Sequence, residues 1–330
     1  MRQPRARHTV RLGLLGCLLL TGCQATNNYL FGVGDCKLEQ LGQTPVQTRQ
    51  NLVLVTAQVN GQPVRLVVDT GSERTLLNVS TATRLSLNRD FDNATRSWGV
   101  GGQTARFDAS LNSFVLAGLR LPLRHVAVGD LAVTPLGDVD GVLGTDVLRW
   151  FAVDLDAPGG QMTLYRAEPC WIAAPPWPGP AIQLAGVVVN RHSLDFPRRI
   201  LLPIELDGVA ATALLDTGSQ SSAITLTLAG RVGVTDAVLK TDPSMSIGGT
   251  GPDAAIVPLH RFRSIRVGNW VANDPILPVL DLPHDIEQRP EVTDRLFQAL
   301  VGQDFLHGHR IWFSMAGWQV FVSPTVTAAR

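Results

Sequence analysis

Apolar positions along the chain fall into short runs broken by glycine, proline and polar turns, the pattern of many brief strands rather than long helices. Residues 52–59 and 64–68 are two such runs, and between them lies Asn60-Gly61, a dipeptide suited to the two positive φ angles of a tight hairpin. Residues 201–206 and 210–215 flank Asp207-Gly208 in the same way. After each predicted hairpin the apolar spacing predicts one more strand and one short helix, at Leu77, Ala82, Arg84, Leu85 and Leu87, and at Ile224, Ala229, Arg231, Val232 and Val234. Each half then closes with a β-rich pair, 151–155 with 161–165 and 311–315 with 318–322. The expected class is all-β with few short helices.

These parallels follow one displacement. Val67-Val68-Asp69-Thr70-Gly71-Ser72 returns 147 positions later as Leu214-Leu215-Asp216-Thr217-Gly218-Ser219, the mark of an internal repeat. The hairpin turns, the short helices and the pairs Gly101-Gly102 and Gly248-Gly249 share that offset. Further on it grows to 158, where Val142-Leu143-Gly144-Thr145-Asp146 matches Leu300-Val301-Gly302-Gln303-Asp304. The eleven added residues are expected near 274–295, read as a surface loop. Two lobes are therefore expected, 51–168 and 200–324, joined by a proline-rich linker over 169–199.

Charge narrows the partners. With 28 basic and 28 acidic side chains in 330 residues there is no basic footprint for nucleic acid, and 45% hydrophobic residues exclude a largely disordered chain. At the N-terminus, Arg2, Arg5, Arg7 and Arg11 precede the apolar run 12–20, the layout of a secretory signal. That run ends in Leu20-Thr21-Gly22-Cys23, which resembles a bacterial lipobox. The resemblance implies cleavage after residue 22, lipidation of Cys23 and an arm over 23–50. It also implies membrane attachment through the lipid, and Gln24 favours the outer membrane, facing the periplasm. Loss of four arginines leaves 24 basic against 28 acidic groups on the remaining body. Cys17 leaves with the signal and Cys23 is acylated, so Cys36 and Cys170 remain as a candidate disulfide in an oxidising compartment. His307 and His309 lack companions at metal-ligand spacing, and neither a metal nor another cofactor is expected.

One Asp-Thr-Gly is a common turn; two, each after an apolar strand and each at the shared offset, carry more weight. The pair resembles the aspartic proteases of the pepsin and retropepsin superfamily over residues 50–165 and 200–323, as if two retropepsin-like units were fused in tandem. The resemblance implies a two-lobed β-barrel fold with pseudo-twofold symmetry, needing no second protomer and hence expected to be a monomer. It implies an endopeptidase whose Asp69 and Asp216 share one proton and activate a water. By the same likeness Thr70 and Thr217 brace the two loops against each other, Gly71 and Gly218 permit their close approach, and Ser72 and Ser219 hydrogen-bond the carboxylates. Gly144 and Gly302 are expected to pack beneath the loops, with Asp146 and Asp304 capping short helices. Trp98, Gly101, Gly102, Gly248 and Gly249 are flap candidates over a peptide or protein substrate. Two alternatives remain open at this stage: an idle lipoprotein that binds a peptide without cutting it, and a precursor whose residues 24–50 cover the cleft.

Overall fold

The structure, a computed structural model, describes residues 38–92, 98–99, 102–103, 105–131, 138–166, 175–184, 187–190, 198–249, 254–281, 297–315 and 319–324. Cys23, Cys36 and Cys170 lie outside these residues. Asn60 and Gly61 adopt φ of 51° and 80°, and Asp207 and Gly208 adopt 51° and 85°, the successive left-handed residues that match the twist of paired strands. They close two hairpins, Leu52–Val59 on Gln62–Val68 and Arg198–Leu206 on Val209–Leu215. The first turn residue also bonds sideways. Asn60 Oδ1 accepts from the N–H groups of Asn112 and Ser113 at 2.8 and 3.0 Å, and Asp207 Oδ1 accepts from those of Arg263 and Ser264 at 2.8 Å each. One short polar side chain therefore sets each turn and pins it to the neighbouring loop.

The second strand of each hairpin ends at Asp-Thr-Gly and is held by a parallel neighbour. Gln62–Val68 runs parallel to Gly141–Leu143, which pairs antiparallel with Leu76–Asn78. Val209–Leu215 runs parallel to Ala299–Val301, which pairs antiparallel with Ala223–Thr225. The predicted short helices follow at Val79–Arg84 and Leu226–Arg231. One apolar cluster joins the halves, from Val53 and Phe114 to Phe262 and Phe313, all essentially sealed from water.

The halves share a sheet whose strands lie in the order Ile182–Leu184, Gln319–Val322, Arg310–Ser314, Phe151–Asp156, Gln161–Arg166 and Gln40–Arg49. They meet where Phe151–Asp156 pairs antiparallel with Arg310–Ser314. There Arg310 donates to both oxygens of the buried Asp154, at 2.8 and 2.5 Å, with the Trp177 ring 5.1 Å from its guanidinium carbon. A two-pronged ion pair at a buried seam fixes the register between halves, because slipping either strand would strand a charge.

Three segments differ from expectation. The described part of the arm is mostly strand: Gln40–Arg49 pairs with both Gln161–Arg166 and Leu52–Val59. Only Val46 of its ten residues is buried, so hydrophobic patterning could not reveal it. That strand belongs to the scaffold, paired on both sides. The linker likewise contributes Ile182–Leu184, paired with Gln319–Val322, and Val187–Asn190, paired with Arg198–Leu206. The expected loop at 274–295 begins with a strand, Ile276–Leu280, whose last four residues are buried.

Candidate active site

The parallel clamps deliver the two aspartates to one place. Asp69 N–H donates to Leu143 O and Asp216 N–H to Val301 O, each at 3.0 Å, so each loop starts from a fixed point on its own lobe. The loops then cross-link. Thr70 Oγ1 donates to Leu215 O at 2.6 Å and accepts from Thr217 N–H at 3.1 Å. Thr217 Oγ1 donates to Val68 O at 2.7 Å and accepts from Thr70 N–H at 3.1 Å. Both threonines are fully buried, and the four bonds obey a twofold relation between the lobes. A Cβ on Gly71 would stand 2.5 Å from Asp216 Cγ, and one on Gly218 would stand 2.3 Å from Asp69 Cγ. Each carboxyl is thus seated against the opposite loop, in space that any other residue would fill.

Asp69 and Asp216 are half-buried, and each carboxyl acts on the ionisation of the other. Burial pushes both above the ordinary carboxylate range. The nearby Asp216 charge pushes Asp69 further, against the N–H groups of Ser72 and Gly71, which favour its ionised form. Both shifts favour the protonated form, so the pair resists carrying two negative charges.

A family model described as "Aspartyl protease" matches residues 55–147 and 202–305, more than half of the chain and once in each lobe. The chain belongs to the aspartyl protease family. It is also similar to the UBA domain-containing protein Mud1 of Schizosaccharomyces pombe (strain 972 / ATCC 24843), at 26% identity over 119 residues, or 36% of this chain. The chain spans about a third of the length of that curated relative, 34%.

Within this member of the aspartyl protease family, the serines depart from expectation. Ser72 Oγ donates to Arg74 O and Ser219 Oγ to Ser221 O, both at 2.8 Å. The carboxylates accept instead from the backbone: Asp69 Oδ1 from Gly71 and Ser72 N–H at 2.9 Å each, and Asp216 Oδ1 from Gly218 N–H at 3.0 Å. The loop's tight curl aims its N–H groups at the aspartate two residues back, leaving each hydroxyl to satisfy a carbonyl ahead of it.

Asp146 and Asp304 also act otherwise than as helix caps. Gly144 and Gly302 hold the cap positions of Thr145–Leu148 and Gln303–Leu306. Asp146 Oδ1 instead accepts from Thr75 N–H and Oγ1 at 2.9 and 2.7 Å, and Asp304 Oδ1 from Ser222 N–H and Oγ at 2.8 and 2.7 Å. The same hydroxyls accept from Gly144 and Gly302 N–H at 3.1 and 3.0 Å. Each Asp-Thr-Gly loop therefore rests on a carboxylate and hydroxyl relay, its carboxylate buried at Asp146 and exposed at Asp304, which the sequence signalled only as a matched aspartate after a matched glycine.

The flap candidates divide. Trp98–Gly99 pairs with Gly102–Gln103, Gly99 opposite Gly102, forming a hairpin whose tip, including Gly101, lies outside the described residues. Trp98 is described in its backbone alone. Gly248 and Gly249 follow Ser244–Ile247, whose last residue opposes Ala255, so they open a longer connection and not a two-residue tip. His309 is buried with Nδ1 2.7 Å from Ser323 O, and His307 Nδ1 lies 2.8 Å from Gln303 O, so each ring bonds a backbone carbonyl. No cluster of His, Cys, Asp or Glu at metal-binding spacing occurs among the described residues.

Proposed function

We propose that the protein is an aspartic endopeptidase that hydrolyses peptide bonds with a water held between Asp69 and Asp216. The observation carrying this reading is the seating of each aspartate against the other lobe's glycine within a reciprocal threonine brace. Hydrolysis of an amide without a metal or covalent intermediate needs a base to take a proton from water and an acid to protonate the carbonyl oxygen. A carboxyl pair with one proton supplies both, and a buried setting keeps that single-proton state populated over a range of pH. The substrate is an extended peptide lying between the lobes, where strand edges offer main-chain partners.

The test is incubation of the soluble body with a diverse peptide library across about pH 3 to 8, with the products sequenced. Internal cleavage is expected, with a bell-shaped rate. The acidic limb falls where both carboxyls are protonated and the alkaline limb where both are ionised. Because both groups titrate above the ordinary range, the bell is displaced toward neutrality. Peptide binding without internal cleavage at any pH would instead support the idle-lipoprotein reading.

The N-terminal pattern supports attachment to an envelope membrane through lipid on Cys23. Cys23→Ser is expected to move the full chain from the membrane fraction to the soluble fraction of cells. Retention of the variant on membranes would remove the anchor from this reading.

A further inference from the structure

The repeat is broken at two positions beside the dyad. In the first lobe Leu54 opposes Val67, so the hairpin register carries Leu52 across from Asp69. In the second lobe Leu201 opposes Leu214, and the same register carries Arg199 across from Asp216. Leu52 and Arg199 are thus equivalent places, one apolar and buried, the other cationic. The residue after the serine of each Asp-Thr-Gly-Ser loop differs too: Glu73 in the first loop, Gln220 in the second. These departures meet each other. Arg199 Nε lies 2.8 Å from Glu73 Oε1, an ion pair between lobes with both side chains largely shielded, and the Phe297 ring lies 5.6 Å from the guanidinium carbon. On the opposite side Gln220 Nε2 donates to Gln50 O at 2.9 Å and adds no charge.

We propose that Arg199, braced by Glu73, is a positioning residue that makes Asp216 the ionised member of the dyad and leaves the shared proton on Asp69. This rests on the endopeptidase reading and gives an otherwise symmetric pair a fixed polarity. The charged groups that bear on Asp216 are Asp69 from the facing loop and Arg199 from the adjacent strand, with Glu73 behind Arg199. Arg74, next to Glu73, pairs with Asp108 and Asp146 at 3.3 and 3.6 Å. Burial raises Asp216, and the N–H groups of Gly218 and Ser219 together with the Arg199 charge pull it back toward the ordinary range; burial and the Asp216 charge hold Asp69 well above that range.

In the resulting cycle, Asp216 takes a proton from water as the water oxygen bonds to the carbonyl carbon, and Asp69 gives its proton to the carbonyl oxygen. On collapse the C–N bond breaks, Asp216 returns its proton to the leaving nitrogen, and one hydroxyl of the tetrahedral carbon returns its proton to Asp69. The dyad ends as it began, so a bound peptide need run in only one direction.

The test reads the dyad without turnover. In protein labelled with 13C at the aspartate carboxyl carbons, Asp69→Asn leaves Asp216 as the titrating member of the pair, assigned by its loss in Asp216→Asn. In that background Arg199→Leu, which installs the first lobe's residue, is expected to raise the Asp216 midpoint by about one pH unit. Glu73→Gln, which uncovers Arg199, is expected to lower it, and Arg199→Lys to leave it nearly unchanged. Opposite shifts from the two halves of one ion pair are an electrostatic signature that a merely structural tie would not give. Shifts in the same direction, or none, overturn the proposal. Should Arg199→Leu not fold, Glu73→Gln decides alone: a midpoint that fails to fall overturns it. Absence of peptide cleavage by the unmodified protein with these shifts intact would sink the endopeptidase reading while sparing the charge assignment.

Discussion

Asp69→Asn is expected to cut kcat for peptide hydrolysis by on the order of 10³-fold or more while raising the thermal midpoint at neutral pH. The loss follows because the amide neither exchanges a proton with the carbonyl oxygen nor shares one with Asp216. The gain follows from linkage. Burial and the Asp216 charge hold Asp69 above its unfolded value, so its favourable contribution is complete below about pH 3.9, the ordinary aspartate range, and is lost as pH rises through the folded value. Asparagine is neutral at every pH and never incurs that loss, while its Oδ1 still accepts from the N–H groups of Gly71 and Ser72. Variant and parent should therefore melt together near pH 3 and diverge toward pH 7. Scanning calorimetry across that range with parallel peptide assays checks both halves. Cleavage within tenfold of the parent would remove Asp69 from the chemistry, and an equal loss of stability at both ends would show that like-charge crowding is not what raises it.

What the sequence disclosed and what it hid follow from how each feature is encoded. The hairpins were legible because Asn60-Gly61 and Asp207-Gly208 write the turn geometry into two adjacent residues. The dyad was legible because a whole segment repeats, and a repeat places two equivalent groups about one axis. The sheet between the lobes left no such trace. Its central contact joins Phe151–Asp156 to Arg310–Ser314 across more than 150 positions, and its strand Gln40–Arg49, though paired on both sides, is too exposed to show alternation. The fine structure beneath the loops was hidden for another reason. Asp146 and Thr75 lie 71 positions apart and meet only once the parallel clamp has formed. The serines misled because a hydroxyl near a carboxylate in sequence need not point at it when backbone N–H groups already do. Arg199 and Glu73 carried no such signal, because the repeat sets them against unlike residues, Leu52 and Gln220. In a fused pseudo-dimer the unmatched positions nearest the axis are where asymmetry is written.

Thr217→Val is expected to lower stability by about 2–6 kcal/mol and to reduce hydrolysis with it. Valine fills almost the same volume, so packing is conserved and the lost oxygen is isolated as the cause. That oxygen serves only the other lobe: it donates to Val68 O and accepts from Thr70 N–H, both in places closed to water. Each orphaned group costs about 1–3 kcal/mol, a large part of the 5–15 kcal/mol that holds a typical folded chain together. The substitution therefore strains the lobe-to-lobe brace and leaves the fold of either lobe its own hydrogen bonds. Thr70→Val should match it through Leu215 O and Thr217 N–H. Thr217→Ser keeps the oxygen and should cost only about 1 kcal/mol for the missing methyl. Urea midpoints for the three variants, read beside kcat at the pH optimum, separate the brace from the scaffold. A valine variant within 1 kcal/mol of its serine counterpart would mean that the shared sheet, with Arg310 on Asp154, holds the lobes in register without help from the threonines.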